Sequence, residues 1–362
     1  MPYIEVENIT PTKLALISER ARKEPKYQFT SLAHLLNERF LKECYYSLGR
    51  DRASGIDGVS WKEYGEQLDE NLNNLLTRMK AKRYKPQPAK RVYIPKNEHE
   101  KRPLGLPALE DKIVQKGISH ILEAIYEADF SDCSYGFRPN PMLSNIFLHY
   151  VLGLWYEKKV RPHVRGACYL VRYADDFICM VQYADDARRI EQALRERFAK
   201  FDLELHPKKT RVISFGRYER ENAKRQNRRG NTFDFLGFTH YCGTSRRGKF
   251  IVGRKTSRKK FRMKCKEMNN WLRKIRNFKK AKEWWLVLQA KLRGHYQYYG
   301  VSGNMRSIQR FYLLTERMTL KWLNRRSQRK SFNWASFLEY LEHYPLPRPK
   351  IVHNLYTLSP VV

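Results

Sequence analysis

Residues 167–183, Ala-Cys-Tyr-Leu-Val-Arg-Tyr-Ala-Asp-Asp-Phe-Ile-Cys-Met-Val-Gln-Tyr, constrain this chain more than any other stretch. Two short apolar runs, Tyr169 to Val171 and Phe177 to Val181, flank a tight step at Tyr173-Ala174-Asp175-Asp176. β-Branched and aromatic residues on both sides of an Asp-bearing break predict a β-hairpin. Its tip then carries two adjacent carboxylates, which repel unless something neutralises them. A divalent cation is the usual neutraliser, so the first functional expectation is metal-dependent phosphoryl chemistry.

Charge points to the partner. At 362 residues the chain is long enough for a real core and predicts two or three domains. Its net charge of +34 is extreme, and it is lopsided. Residues 1–207 hold 33 Lys+Arg against 29 Asp+Glu, and residues 208–362 hold 38 against 8. A basic C-terminal half of this kind suggests a polyanion, and nucleic acid is preferred to a membrane surface because no long helix shows a clean apolar face. The six cysteines are scattered with no CxxC pair, which argues against a zinc site or disulfide framework and fits a reducing cytoplasm. The N-terminus lacks a signal pattern, and the most apolar run, Ile146 to Tyr156, is too short to span a membrane.

Periodicity supplies the rest of the frame. Leu32, Leu35, Leu36, Phe40, Cys44 and Leu48 predict a helical segment within 13–48, and Tyr64 to Met79 mark a helix over Trp61–Lys80. Between them, Arg52-Ala-Ser-Gly-Ile-Asp-Gly58 is either a plain turn or a backbone approach to a phosphate, with the turn slightly favoured. Residues 83–107 are proline-punctuated, so an edge strand and loop should present Lys96, Lys101 and Arg102. Asp111 to Tyr126 returns to helix, with Ile113, Val114, Ile118, Ile121, Leu122 and Ile125 as its buried stripe. A further helix over Ser144–Lys158 should bury Ile146, Phe147, Tyr150, Val151, Leu154 and Trp155. A second Tyr-Ala-Asp-Asp at 183–186 opens a helix, where Asp185 or Asp186 is expected to act as N-cap and favourable first-turn charge. Asn222–Asn231 reads as a flexible basic loop. Lys255 to Lys280 reads as a helix with a buried stripe and a basic back, a candidate phosphate track. Residues 281–326 are helical and aromatic, mostly core, with base stacking the lesser reading for Tyr296 or Tyr298. The proline-rich tail from Tyr344 to Pro349 should fold back on them.

Several of these stretches resemble one known family in that family's own order. IPKNEHEKRPLGLPALEDKIVQKGISHILEAIYEADFSDCSYGFRPN at 94–140 is similar to the first fingers block of group II intron reverse transcriptases, also called intron-encoded maturases. RASGIDGVS at 52–60 resembles the block before it, and LVRYADDFICMV at 170–181 resembles the palm motif. LELHPKKTRVISFG at 203–216 and FDFLGF at 233–238 resemble the blocks that complete the palm. LRGHYQYYG at 292–300 and PRPKIVH at 347–353 resemble the thumb and splicing domain.

The resemblance implies an α+β fold of the right-hand polymerase type. Its parts would be a helical N-terminal extension (1–50), fingers (51–140), a truncated palm with an incomplete antiparallel sheet (141–245), and a helical thumb/maturase domain (246–362). It implies Asp175 and Asp176 as catalytic and Mg²⁺-binding residues of a two-metal site. Tyr173 and Ala174 would shape the turn near the primer end, and Lys96 and Arg102 would meet the incoming triphosphate. Arg254, Lys255, Arg258, Lys259, Lys260, Arg293 and Tyr296 would contact nucleic acid. The implied partners are group II intron RNA and an RNA template with a DNA primer. In one place the sequence departs from the family. After Tyr-Gly-Phe-Arg-Pro-Asn140 the family has a strand carrying another metal-binding Asp and then a Pro-Gln-Gly loop. Here Asn140 runs directly into Pro141-Met-Leu-Ser-Asn-Ile-Phe. The expectation is therefore an RNA-binding chain with half a metal site and impaired or absent polymerase activity. The alternatives are a non-catalytic splicing cofactor and a decayed mobile-element remnant.

Overall fold

The computed structural model describes residues 9–95, 101–127, 134–135, 142–207, 209–245, 247–277, 281–326 and 332–355. It divides into two compact units, Met1–Thr210 and Arg211–Val362.

The N-terminal unit begins with α1 (Ile9–Lys23), α2 (Glu38–Ser47), α3 (Trp61–Glu66) and α4 (Leu68–Lys80). Asn37 starts α2 by accepting from the Phe40 N–H at 3.0 Å, and Ser60 and Glu63 form a capping box on α3. The single helix expected over Trp61–Lys80 is broken at Gln67, whose φ of −127° and ψ of 42° are not helical. Phe40, Leu41 and Cys44 of α2 pack with Leu72 and Leu75 of α4 and with Ile113 and Val114 of α5 (Leu109–Tyr126). The N-terminal helices thus share one core with the segment expected to form the fingers. Ile118 is the exception in the α5 stripe and is 38% exposed.

Gly55 is buried, and a Cβ on it would lie 2.5 Å from Ala108 Cα. The glycine is there for the protein's own backbone, so the plain-turn reading of that loop holds at this position. The proline-punctuated segment is tied down by buried Asp111, which accepts from the Tyr84 hydroxyl and from the Gln87 N–H at 3.0 Å. It ends in an antiparallel ribbon of β1 (Lys90–Pro95) and β2 (Lys101–Leu106), with Ile94 opposite Arg102.

A second core is built around the hairpin. α6 (Met142–Leu148) continues into π-wound turns at His149–Gly153 and Tyr156–Val160. Each π turn takes in an extra residue and so rotates the faces of the helix beyond it. The buried side becomes Val151, Leu152, Tyr156 and Val160, while Phe147 and Tyr150 of the expected stripe are 43% and 45% exposed. That side packs on β4 (Cys168–Tyr173), β5 (Asp176–Val181) and Ile190, Leu194 and Phe198 of α7 (Ala184–Ala199). α7 starts as expected at the second Tyr-Ala-Asp-Asp, but its N-cap is Tyr183, without a side-chain bond. Asp185 and Asp186 sit in the first turn, where their charge favours the helix dipole. Asp186 is buried, pairs with Arg189 and accepts from the Arg165 N–H at 3.3 Å.

The C-terminal unit pairs a sheet with a helical bundle. β6 (Thr232–Phe235), β7 (Phe238–Thr244) and β8 (Phe250–Thr256) form an antiparallel meander that runs across the 245/246 boundary implied by the resemblance. α9 (Arg258–Ile275), α10 (Ala281–Tyr299), α11 (Met305–Leu323) and α12 (Trp334–His343) enclose a core of Leu272, Trp284, Leu288, Leu292, Phe311 and Phe337. The tail does fold back. Leu346 joins this core, and the Val352 and His353 N–H groups donate to the Gly300 carbonyl. The segment read as a flexible loop instead carries a short helix, α8 (Glu219–Arg225), and a pinned turn after it. Among the described residues no helix is long and apolar enough to cross a membrane.

Candidate functional site

The hairpin at the centre of the sequence forms as expected. β4 and β5 pair antiparallel with Tyr173 opposite Asp176, leaving Ala174 and Asp175 as a two-residue turn. Cys168 and Leu170 point into the core from one face of β4, and Arg172 joins them inward by the same alternation. Arg172 is 1% exposed. Its guanidinium donates to the Ala174 carbonyl at 3.0 Å and to Asn145 Oδ1 at 3.1 Å. Ala174 has φ +54° and is itself buried, a conformation that costs a non-glycine residue energy unless its surroundings hold it. The buried arginine under its carbonyl supplies that hold. Asp175 and Asp176 are exposed on the far side, and Tyr173 is 38% exposed beside them.

The sheet has one feature that the antiparallel expectation did not include. The two-residue strand β3 (Ser134–Tyr135) pairs with β4 in parallel, Ser134 opposite Arg172 and Tyr135 opposite Tyr173. It reaches only the tip end of the hairpin.

Two carboxylates on one exposed turn suit Mg²⁺, which prefers hard oxygen ligands and commonly binds one or two carboxylates while keeping waters. Among the described residues no group of three or more His, Cys, Asp or Glu side chains is placed to share an ion. Of the groups expected to meet a triphosphate, Arg102 is exposed on the β1–β2 ribbon, a different sheet from the hairpin. Lys96 lies outside the described residues.

The expected nucleic-acid contacts divide. Lys255 at the end of β8 and Arg258, Lys259 and Lys260 in the first turn of α9 are exposed, as is Arg293 on α10; Arg254 is half-buried. Along α9, Lys259, Arg262, Lys266 and Arg273 are all exposed at i, i+3, i+7 and i+14, one face of the helix. Phe261, Met268, Trp271, Leu272 and Ile275 occupy the opposite side and pack into the core. Tyr296 is a correction. It is 2% exposed inside the bundle core, so no ring face is available for a base. Tyr298 is exposed, but its ring stacks on Phe238 with centroids 6.0 Å apart and its hydroxyl donates to the Leu236 carbonyl at 2.9 Å.

A reverse transcriptase (RNA-dependent DNA polymerase) family model matches residues 133–240, which contain the hairpin. The group II intron-encoded protein LtrA of Lactococcus lactis subsp. cremoris is 34% identical over 128 residues, 35% of this chain and 21% of that protein. Over these stretches the chain is similar to a reverse transcriptase family and to a group II intron-encoded protein. Protein YkfC of Escherichia coli (strain K12) is 46% identical over 85 residues, 24% of this chain and 22% of YkfC. The putative COX1/OXI3 intron 2 protein of Saccharomyces cerevisiae is 42% identical over 69 residues, 19% of this chain and 8% of that protein. The matched part is thus about a fifth or less of each relative's length.

The support under the hairpin turn is not apparent from the apolar spacing alone. Arg172 was visible as a charge at an inward position of an alternating strand, and that was the available signal. Its partner Asn145 was not, because it sits on α6, 27 residues away in sequence.

Proposed function

We propose that this chain is a group II intron reverse transcriptase/maturase segment that binds intron RNA through its basic C-terminal unit. We further propose that by itself it copies RNA poorly or not at all. The observation that carries the RNA reading is the α9 face of Lys259, Arg262, Lys266 and Arg273, backed by an apolar side that fixes which way it points. Fourteen residues of helix rise about 21 Å, long enough to follow several phosphates of one strand. Each phosphate neutralised on a single strand contributes about 0.7 to the slope of log affinity against log salt.

The hairpin accounts for the second half. Nucleotide addition is an in-line displacement in which two Mg²⁺ ions stabilise the attacking hydroxyl and the departing pyrophosphate. Asp175 and Asp176 would hold one ion at the turn, Tyr173 would border the primer end, and Lys96 and Arg102 would neutralise a triphosphate. The family's further carboxylate would come from the strand that this sequence skips between Asn140 and Pro141. Loss of preorganised charge stabilisation of this kind lowers rates by about two to three orders of magnitude per group.

Primer extension on an RNA template with Mg²⁺ or Mn²⁺ tests this directly. Robust cDNA synthesis that disappears in Asp176→Asn would refute the impaired reading. RNA binding should have a steep salt slope and survive Asp175→Ala with Asp176→Ala. Salt-insensitive or absent binding would refute the RNA reading. If binding and splicing assistance survive that double substitution, the chain acts as a non-catalytic splicing cofactor.

A further inference from the structure

The segment between the palm blocks, expected to be loose, builds a defined cleft. α8 lies on β7 through buried Ala223, and its Arg220 meets the Thr244 hydroxyl at the end of that strand. After the helix, Asn227 adopts φ +48°, and the Asn227 and Arg228 N–H groups donate to the Lys224 and Ala223 carbonyls at 3.1 and 2.9 Å. These bonds close the helix end. The chain is then pinned from beneath. The carboxylate of Glu219, whose side chain is fully buried, receives both terminal nitrogens of Arg228, at 2.6 and 3.3 Å, and the Asn231 N–H at 2.9 Å. The Asn231 side-chain amide donates to the Ser214 carbonyl at 3.0 Å.

The result is a cleft of about 540 Å³ walled by Arg220, Lys224, Arg228, Arg229 and Asn231, within the usual ligand-pocket range. Its charge is not balanced from within. Glu219 is engaged by Arg228, and Glu221 neighbours both Lys224 at i+3 and Arg225 at i+4, one carboxylate between two cations. Among the described residues Lys224 and Arg229 form no ion pair. The Tyr241 ring is turned away from this cleft, because Thr244 meets Arg220 of α8 and Tyr241, three residues before it on β7, points to the other face of the sheet. Tyr241 faces Gly253 across the β7–β8 pair, and its ring lies so close over that glycine that a Cβ there would come within 2.3 Å of Tyr241 Cζ. Lys255 Nζ stands 5.6 Å from the centroid of the same ring.

We infer that the cleft between α8 and β7 binds a phosphate group of single-stranded RNA through Lys224, Arg229 and Arg220. Unpaired cations around a preformed cavity favour a multiply charged oxyanion. The choice of RNA as source rests on the function proposed for the chain. The phosphate chemistry does not.

The test uses the full chain, a short oligouridylate and inorganic phosphate as probes, with Lys224→Ala/Arg229→Ala as the variant. Both basic residues are exposed, so the double variant should fold. It should weaken RNA binding and flatten the salt slope by about 0.7 to 1.4, one to two single-strand contacts. An unchanged slope in the double variant overturns the assignment. If the unmutated chain binds no RNA, the proposed function and the RNA source fall together. Phosphate at the cleft is then decided by ³¹P line broadening: broadening by the unmutated chain that is abolished in the double variant upholds it, and equal broadening by both overturns it.

Discussion

Replacing Glu219 by Gln removes one charge from the C-terminal unit at almost constant volume. The carboxyl sits at about 2 against an ordinary 4.5. Hydrogen bonds from Arg228 lower it most, opposed by desolvation and helped by the Asn231 N–H and Ser214. A tenfold change in ionisation corresponds to about 1.4 kcal/mol, so the depression amounts to about 3 kcal/mol of stability at neutral pH. Gln keeps one acceptor and turns the other into a donor facing the Arg228 guanidinium, leaving a cation partly buried without its partner. That is the kind of break that costs about 3–5 kcal/mol. Because the folded state lowers the pKa, the stabilisation is complete above about 4.5 and is lost as pH falls toward about 2. Urea unfolding of both proteins at several pH values reads this out. The variant should be less stable by about 3 kcal/mol at pH 7, a drop in Tm of about 6–12 °C for a unit of this size, and the gap should narrow below pH 4.5. Equal stability at pH 7, or a gap that stays constant as the medium is acidified through that window, would refute the role given to the pair.

Three further outcomes are expected. His295 is half-buried and stacked on Phe311, and desolvation, helped by Lys264, lowers its pKa from 6.5 to about 4. Stability of the C-terminal unit should therefore fall as pH drops from about 6.5 toward 4, a window above that of Glu219, and His295→Phe should flatten this part of the pH profile in thermal melts. Gly55→Ala puts a methyl 2.5 Å from Ala108 Cα and should cost about 1–3 kcal/mol in denaturant unfolding of the N-terminal unit. Arg172→Ala leaves the Ala174 carbonyl and Asn145 without that donor inside the core and should destabilise the same unit by about 3 kcal/mol. It should also raise backbone hydrogen exchange at residues 173–176, while the isolated exposed-side change Asp175→Asn should not.

The sequence by itself determined what local rules can specify. Alternating apolar residues around Tyr-Ala-Asp-Asp fixed the hairpin, its register and the exposed position of Asp175 and Asp176, because a strand's two faces are set directly by its period. The one-sided apolar spacing of Phe261, Trp271, Leu272 and Ile275 fixed which face of α9 would be basic and outward. Charge asymmetry marked the C-terminal half as the strongly basic one, whatever its fold. Tertiary structure decided the rest, where the deciding partner is distant in sequence or invisible to periodicity. Tyr296 had an aromatic ring in a basic, aromatic helix, yet packing placed it in the core. The π-wound turns after Leu148 rotated a stripe that a 3.6-residue period placed elsewhere. Above all, a run of polar residues that looked unable to order itself was held by one buried carboxylate. Glu219 could bind Arg228 in that way only once α8 had been laid on β7, since a buried ion pair is favourable only where the surrounding fold satisfies both charges.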